Sequence, residues 1–241
     1  TTRIESDKIY GLLGRNGAGK TTLLRLITNQ IFPTSGEIEI DFEKIYENDN
    51  AIGKIFFMNE SNLYPESMKV REVFKWTKEF YPDFDLDYAL NLCKKFELKA
   101  DKRLKSLSTG YNSIFKLITT LSSNAEIMLF DEPILGLDAY HRDLFYKELL
   151  DSYIKKPKTI ILSTHIIEDI KNNCDGLALI NNGKVKQFDN FEELENMAKG
   201  KVWKVIVSSD DFYKIDGKYK ILSTNTNADN DLEVRVYSEE K

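Results

Sequence analysis

Short apolar runs punctuate the chain. Residues 9–13, 36–42, 54–58, 127–130, 159–163 and 176–180 each read as a β-strand. Between several of them apolar residues recur with helical spacing. Val70, Val73, Phe74 and Thr77 fall at i, i+3, i+4 and i+7, as do Leu86, Ala89, Leu90 and Cys93. A further helix is expected over 143–154, with Leu144, Phe145, Leu149 and Tyr153 on related faces. Strands alternating with helices predict an α/β core with a largely parallel sheet. Residues 63–124 are mostly helical in pattern and interrupt two core strands, so they are expected to form an inserted helical lobe. Past residue 196 the pattern changes. Residues 203–207 and 232–236 alternate like half-exposed strands, separated by a polar, turn-rich stretch at 223–231. The expected organisation is a core in two parts, 1–62 and 125–198, a helical lobe at 63–124, and a small β-rich C-terminal extension at 199–241. No internal repeat is visible.

Composition narrows this picture. The chain has 241 residues, 41% hydrophobic and 30% charged, which is a globular balance. A net charge of −5 argues against nucleic acid as a main partner. No apolar run approaches the roughly 20 residues of a membrane span. Residues 1–7 lack the apolar core of a signal peptide, so an intracellular location is expected. Cys93 and Cys174 have no metal-type spacing and are expected to be buried or half-buried thiols.

The densest chemistry follows the first strand. Gly14-Arg15-Asn16-Gly17-Ala18-Gly19-Lys20-Thr21-Thr22 fits G-x-x-x-x-G-K-[ST], with a strand before it and a helical run after it. Glycines let backbone N–H groups close around a phosphate chain, and the helix N-terminus faces it with free donors. Lys20 is placed to reach β- and γ-phosphates, and Thr21 to hold Mg²⁺. Candidate phosphate contacts are Asn16, Gly17, Ala18, Gly19, Lys20, Thr21 and Thr22. A second apolar strand ends in Asp131 and Glu132, at the sheet end where ligands bind. There an Asp can hold Mg²⁺ and a Glu can polarise water; an acidic turn after a core strand is the plainer alternative. A third strand ends in His165; such a His taken alone is more often structural than catalytic. His141 lies at a charged helical start and is expected to be solvent-exposed. Leu107-Ser108-Thr109-Gly110-Tyr111 precedes a helix at 113–121; it reads as an N-cap or as a second anion-binding end.

These elements, in this order, resemble the ATPase subunit of ABC transporters over about residues 9–195. Gly14 to Thr22 matches the Walker A loop, and Ile127 to Glu132 matches Walker B with its catalytic Glu. Gly136-Leu137-Asp138 matches the D-loop, His165 the switch His, and 107–111 the signature LSGGQ. The signature, with the Asn59-Glu60-Ser61-Asn62-Leu63-Tyr64-Pro65 segment, is most similar to the YtrB-like branch of bacterial ABC ATPases. Three departures stand out. Thr109 and Tyr111 replace the usual Gly and frequent Gln of the signature. Asn59 replaces the Q-loop Gln and is one methylene shorter. The family also places two strands and an adenine-stacking aromatic ahead of Ile4, outside this sequence.

The resemblance implies a P-loop NTPase fold with a RecA-like core. It implies ATP and Mg²⁺ as cofactors, with Thr21, Asp131 and Asn59 around the metal and Asn59 also near ATP. Lys20, Glu132 and His165 are the implied catalytic set. Ser108, Thr109 and Gly110 would act in trans on ATP held by a second ATPase subunit, and Asp138 would bridge the two. The implied pair is a homodimer or a heterodimer. A separate membrane permease would dock near residues 59–80, giving peripheral attachment at the cytoplasmic face. The rival expectations are a soluble ABC ATPase acting on ribosomes or DNA, and a nucleotide-binding regulatory module.

Overall fold

A computed structural model describes residues 2–59, 61, 63–226 and 231–238. Glu60 and Asn62 of the expected Q-loop segment, and residues 227–230 of the polar stretch, lie outside the described residues. The chain divides into two compact units, Thr1–Asp189 and Asn190–Lys241.

The first unit opens with β1 (Ile9–Leu13), the glycine-rich loop and α1 (Lys20–Ile27). A two-stranded hairpin follows, β2 (Glu39–Ile40) and β3 (Glu43–Lys44), then α2 (Asp49–Gly53) and β4 (Ile55–Met58). Three helices come next without an intervening strand: α3 (Val70–Phe80), α4 (Leu86–Lys95) and α5 (Thr109–Ser122). The chain returns to the sheet with β5 (Ile127–Asp131), α6 (Ala139–Lys155), β6 (Thr159–Thr164) and α7 (Ile167–Asn173). It finishes on β7 (Gly176–Asn181) and β8 (Lys184–Phe188).

The main sheet has six strands in the order β4-β5-β6-β1-β7-β8. All neighbours are parallel except β7 and β8. Strand side chains alternate between two cores. Met128, Phe130, Ile160 and Leu162 face one core with Phe74, Phe115 and Phe145 of the helices. Leu129 and Ile161 face the other, with Leu24 of α1. Both faces are covered, which is why these strands read as continuous apolar runs. Phe74 stacks on Phe115 with ring centroids 6.1 Å apart. Each such fully buried ring contributes about 1.5–3 kcal/mol relative to exposure.

In the first unit the sequence pattern and the structure differ at three places. Residues 36–42 do not form a core strand. Asp41 and Phe42 take φ of 51° and 67°, a left-handed corner that folds the segment into the β2–β3 hairpin. α6 begins at Ala139 rather than 143, because the Asp138 carboxylate accepts from the His141 amide at 2.9 Å and caps the helix. α5 likewise begins at Thr109, with Ser108 as its cap. Cys93 is buried, Cys174 half-buried, and both are free thiols. Burial pushes the Cys93 thiol up to about 12.

The second unit holds α8 (Phe191–Ala198) and an antiparallel sheet of β9 (Val202–Val207), β10 (Lys220–Thr226) and β11 (Leu232–Tyr237), in the order β10-β11-β9. Val234, Val236 and Ile215 form its core. β10 runs through the first part of the polar stretch read from sequence as a turn. The division between units falls before α8, where the sequence pattern placed it after.

Candidate functional site

Parallel pairing brings the C-terminal ends of β1, β5 and β6 side by side. Leu13 pairs with Thr164, and Asp131 with Ser163. The residues that follow each strand therefore share one end of the sheet. They enclose a cleft of about 320 Å³, lined by loop and helix positions 16, 17 and 19–22 with Glu132, Leu135 and His165.

The loop ends at Gly19, whose φ of 109° only glycine adopts without strain. That corner starts α1 with Lys20 pointing back under the loop. Lys20 is buried, and its Nζ donates to the Gly14 carbonyl at 2.7 Å. The same amine lies 3.1 Å from Glu132 Oε1. This contact is an ion pair without hydrogen-bond alignment, since Glu132 Oε1 is buried and has no aligned donor. Thr21 Oγ1 donates to Asp131 Oδ2 at 2.6 Å, and Ser163 Oγ donates to Asp131 Oδ1 at 2.9 Å. The buried Asp131 carboxylate is thus held by two hydroxyls from two elements.

Glu132 takes a φ of 47°, the left-handed region uncommon for a non-glycine residue. Its amide still donates to the Ser163 carbonyl at 3.0 Å, so the strand pairing runs to the corner. The corner turns the side chain away from the sheet and toward Lys20 and His165. His165 Nδ1 lies 3.0 Å from Glu132 Oε2. A cation, two carboxylates and an imidazole therefore converge beside the glycine-rich loop.

Other expected site residues lie elsewhere. Asn59 is buried one position beyond the Met58–Phe130 register pair, at the same end of the sheet as Asp131. It lines a separate cavity of about 220 Å³ with Tyr64, Tyr81 and Lys116, and its carbonyl accepts from Lys116 Nζ at 3.1 Å. Ser108, Thr109, Gly110 and Asp138 do not line the 320 Å³ cleft. Ser108 caps α5, accepting from the Tyr111 amide at 3.3 Å. A Cβ on Gly110 would meet the Gly136 carbonyl oxygen at 2.7 Å, so the signature and D-loop backbones touch within this chain. Asp138 is held by His141, whose amide and ring both contact its carboxylate and keep it below the usual carboxylate range.

His141 corrects an expectation. Its side chain is only 16% exposed and stacks on Phe96, with centroids 6.2 Å apart. The early start of α6 turns it inward against α4 and α5. Sequence reasoning also missed Ser163, the second support of Asp131. The signal was present as a hydroxyl at the polar end of an apolar strand.

The fold and this cleft define a phosphate-loop nucleotide-binding protein. A family profile described as "ABC transporter" matches residues 1–135. The ABC transporter ATP-binding protein YtrB of Bacillus subtilis (strain 168) is 31% identical over 192 residues, covering 80% of this chain and 66% of that protein. The ATP-binding protein NatA of the same strain is 32% identical, covering 76% of each chain. A solved structure described as the ATP binding subunit of an ABC transporter superposes with a TM-score of 0.72 at 21% identity, over 80% of this chain and 82% of that one. The chain belongs to the ABC transporter family, as an ATP-binding subunit of the ABC ATPase type.

Proposed function

We propose that this chain hydrolyses ATP to power a separate membrane permease, through ATP-driven dimerisation. The carrying observation is the convergence of Lys20, Glu132 and His165 on the cleft at the ends of β1, β5 and β6, with Asp131 bonded to Thr21 of its lining. The loop amides and the N-terminus of α1 cradle the phosphates. Lys20 exchanges its Gly14 carbonyl for phosphate oxygens. Glu132 accepts the proton of the attacking water, and its exposed flank is oriented by His165. His165 then presents its second ring nitrogen toward the γ-phosphate.

The chain's oxygen donors fit Mg²⁺. Thr21 and Asp131 place two hard oxygens side by side, and Ser163 fixes the carboxylate. Among the described residues no group of three or more His, Cys, Asp or Glu makes a metal cage by itself. Thr21 and Asp131 would hold the ion, which would supply charge neutralisation at the phosphoryl group.

The other half of the site comes from a second ATPase subunit, identical or different. Ser108 and Gly110 sit at the N-terminus of a 14-residue helix outside their own cleft. A facing subunit brings them onto the γ-phosphate, with Asp138 at the seam. Membrane attachment comes through a permease. Among the described residues no helix is long and apolar enough to cross a membrane. Residues 59–80 carry an apolar surface instead: Leu63, Trp76 and Phe80 are 65%, 44% and 66% exposed. Trp76 and Phe80 form an edge-to-face pair with centroids 5.2 Å apart. Aromatic anchors of this kind suit a protein interface. Val70 and Phe74 are fully buried and serve the core.

The test is Lys20→Ala in the complex with its permease. The expected result is loss of ATP binding at concentrations that saturate the parent, with loss of phosphate release. Parental binding and turnover in Lys20→Ala would overturn the assignment.

A further inference from the structure

Two helices lead away from the cleft, and an ion pair between a buried carboxylate and a half-exposed guanidinium joins their first turns. α6 starts at the Asp138 cap and carries Arg142, whose amide donates to the Asp138 carbonyl at 3.0 Å. α7 starts two residues after His165 and carries Asp169. Arg142 Nη2 donates to Asp169 Oδ1. Asp169 is 4% exposed at its side chain and Arg142 33%. Tyr146, one turn further along α6, lies near the same carboxylate; burial first, and then the Asp169 charge, push its phenol up. The next residue of α7, Ile170, packs over Gly11 of β1.

Apolar packing alone would hold α7 on the sheet but tolerate small slides along its axis. A buried carboxylate paired with one guanidinium nitrogen resists such slides, because the desolvation of Asp169 is offset only while Arg142 stays within reach of it. The pair therefore ties the first turn of α7, which follows His165 by two residues, to the first turn of α6.

We propose that Arg142 and Asp169 are positioning residues. Their ion pair clamps α7 to α6 and holds the His165 imidazole against Glu132. The clamp also links His165 to Asp138, so movement of the D-loop carries over to the imidazole. This inference rests on the reading that His165 and Glu132 act in ATP hydrolysis.

The test is a double-mutant cycle on ATP turnover by the full chain with its permease. Asp169→Asn alone is expected to lower kcat about tenfold and to change KM for ATP less than about twofold. In a His165→Ala background, followed in single turnover, the same change is expected to cost less than about twofold, because its target is gone. Arg142→Gln repeats the cycle from the half-exposed side and decides the matter if Asp169→Asn fails to fold. Arg142→Lys, which keeps the charge, should recover part of the kcat lost in Arg142→Gln. Equal losses in both backgrounds, or parental kcat in Arg142→Gln and Asp169→Asn, overturn the clamp. Glu132→Gln run alongside separates the two readings. Parental turnover in Glu132→Gln removes the hydrolysis assignment itself. An inactive Glu132→Gln with equal Asp169→Asn losses in both backgrounds removes only the clamp.

Discussion

Replacing Glu132 by Gln keeps the shape of the side chain and removes its charge. Two effects follow, and the structure sizes both. The chemical one is the loss of the proton acceptor beside the cleft. General-base catalysis is worth about 10²–10⁴-fold, so steady-state phosphate release should fall by that factor. ATP affinity should hold, because Lys20, Thr21 and the loop amides are untouched. The second effect is on stability without nucleotide. Glu132 Oε1 stands 3.1 Å from the buried Lys20 amine, and both side chains are largely covered, at 15% and 6% exposure. Breaking a buried pair outright costs about 3–5 kcal/mol. Here Lys20 keeps its 2.7 Å bond to the Gly14 carbonyl, and the Gln amide oxygen can still face it. A loss of about 1–2 kcal/mol is expected, or about 3–6 °C in melting temperature. Mg-ATP should then restore the melting point, since bound nucleotide stabilises by mass action. The assay pairs thermal melting, with and without Mg-ATP, with phosphate release by the permease complex. Turnover within tenfold of the parent would refute the general-base role. A melting point that rises without nucleotide would refute the account of the Lys20 pair.

Further outcomes can be stated together. Ser108→Arg should abolish ATP-dependent dimers in light scattering while leaving ATP binding to single subunits; dimers that ignore both ATP and this change count against the two-subunit site. Phe80→Lys, at a 66% exposed position, should leave the unfolding free energy within about 0.5 kcal/mol of the parent yet release the chain from membranes holding its permease. Unchanged membrane recovery, or equal binding to protein-free liposomes, would contradict the docking surface. Lys158 is buried and donates to Ser152 Oγ at 2.9 Å. Burial, and then the Lys156 charge, hold its amine down at about 8. The folded chain thus holds fewer protons than the unfolded one between about pH 8 and 10.5, so this group's penalty is complete below pH 8 and fades as pH rises. Lys158→Met should therefore stabilise by up to about 3 kcal/mol at pH 7, with the gain vanishing above about pH 10.5; a gain independent of pH would show that burial of the charge is not its source.

Much of the fold and of the site was legible because its signals are local. The strand at 9–13, the loop at 14–19 and the start of α1 are contiguous, and each residue's place follows from its neighbours along the chain. The same holds for the apolar strand that ends in Asp131 and Glu132. Helix starts were less legible. Asp138 and Ser108 are good caps by residue type, yet the apolar periodicity that marks α5 and α6 begins several residues later, so both helices run longer than the pattern predicts. The 36–42 run misled because its apolar character is that of a strand, while the left-handed corner at Asp41 and Phe42 leaves no mark on hydrophobicity.

What tertiary structure alone decided are the meetings across distance. Lys20 and Glu132, Thr21 and Asp131, and Glu132 and His165 come together because β1, β5 and β6 lie side by side in parallel register. Nothing in the sequence states that β6 sits between the other two. The inward turn of His141 depends on a packing partner, Phe96, far off in sequence. The Arg142–Asp169 pair is invisible along the chain, since an Arg on one helix and an Asp on another each read as solvated surface. Residue type and spacing set what each segment can become. Which charges are buried, and against what, is settled only when the sheet order sets one strand end beside another.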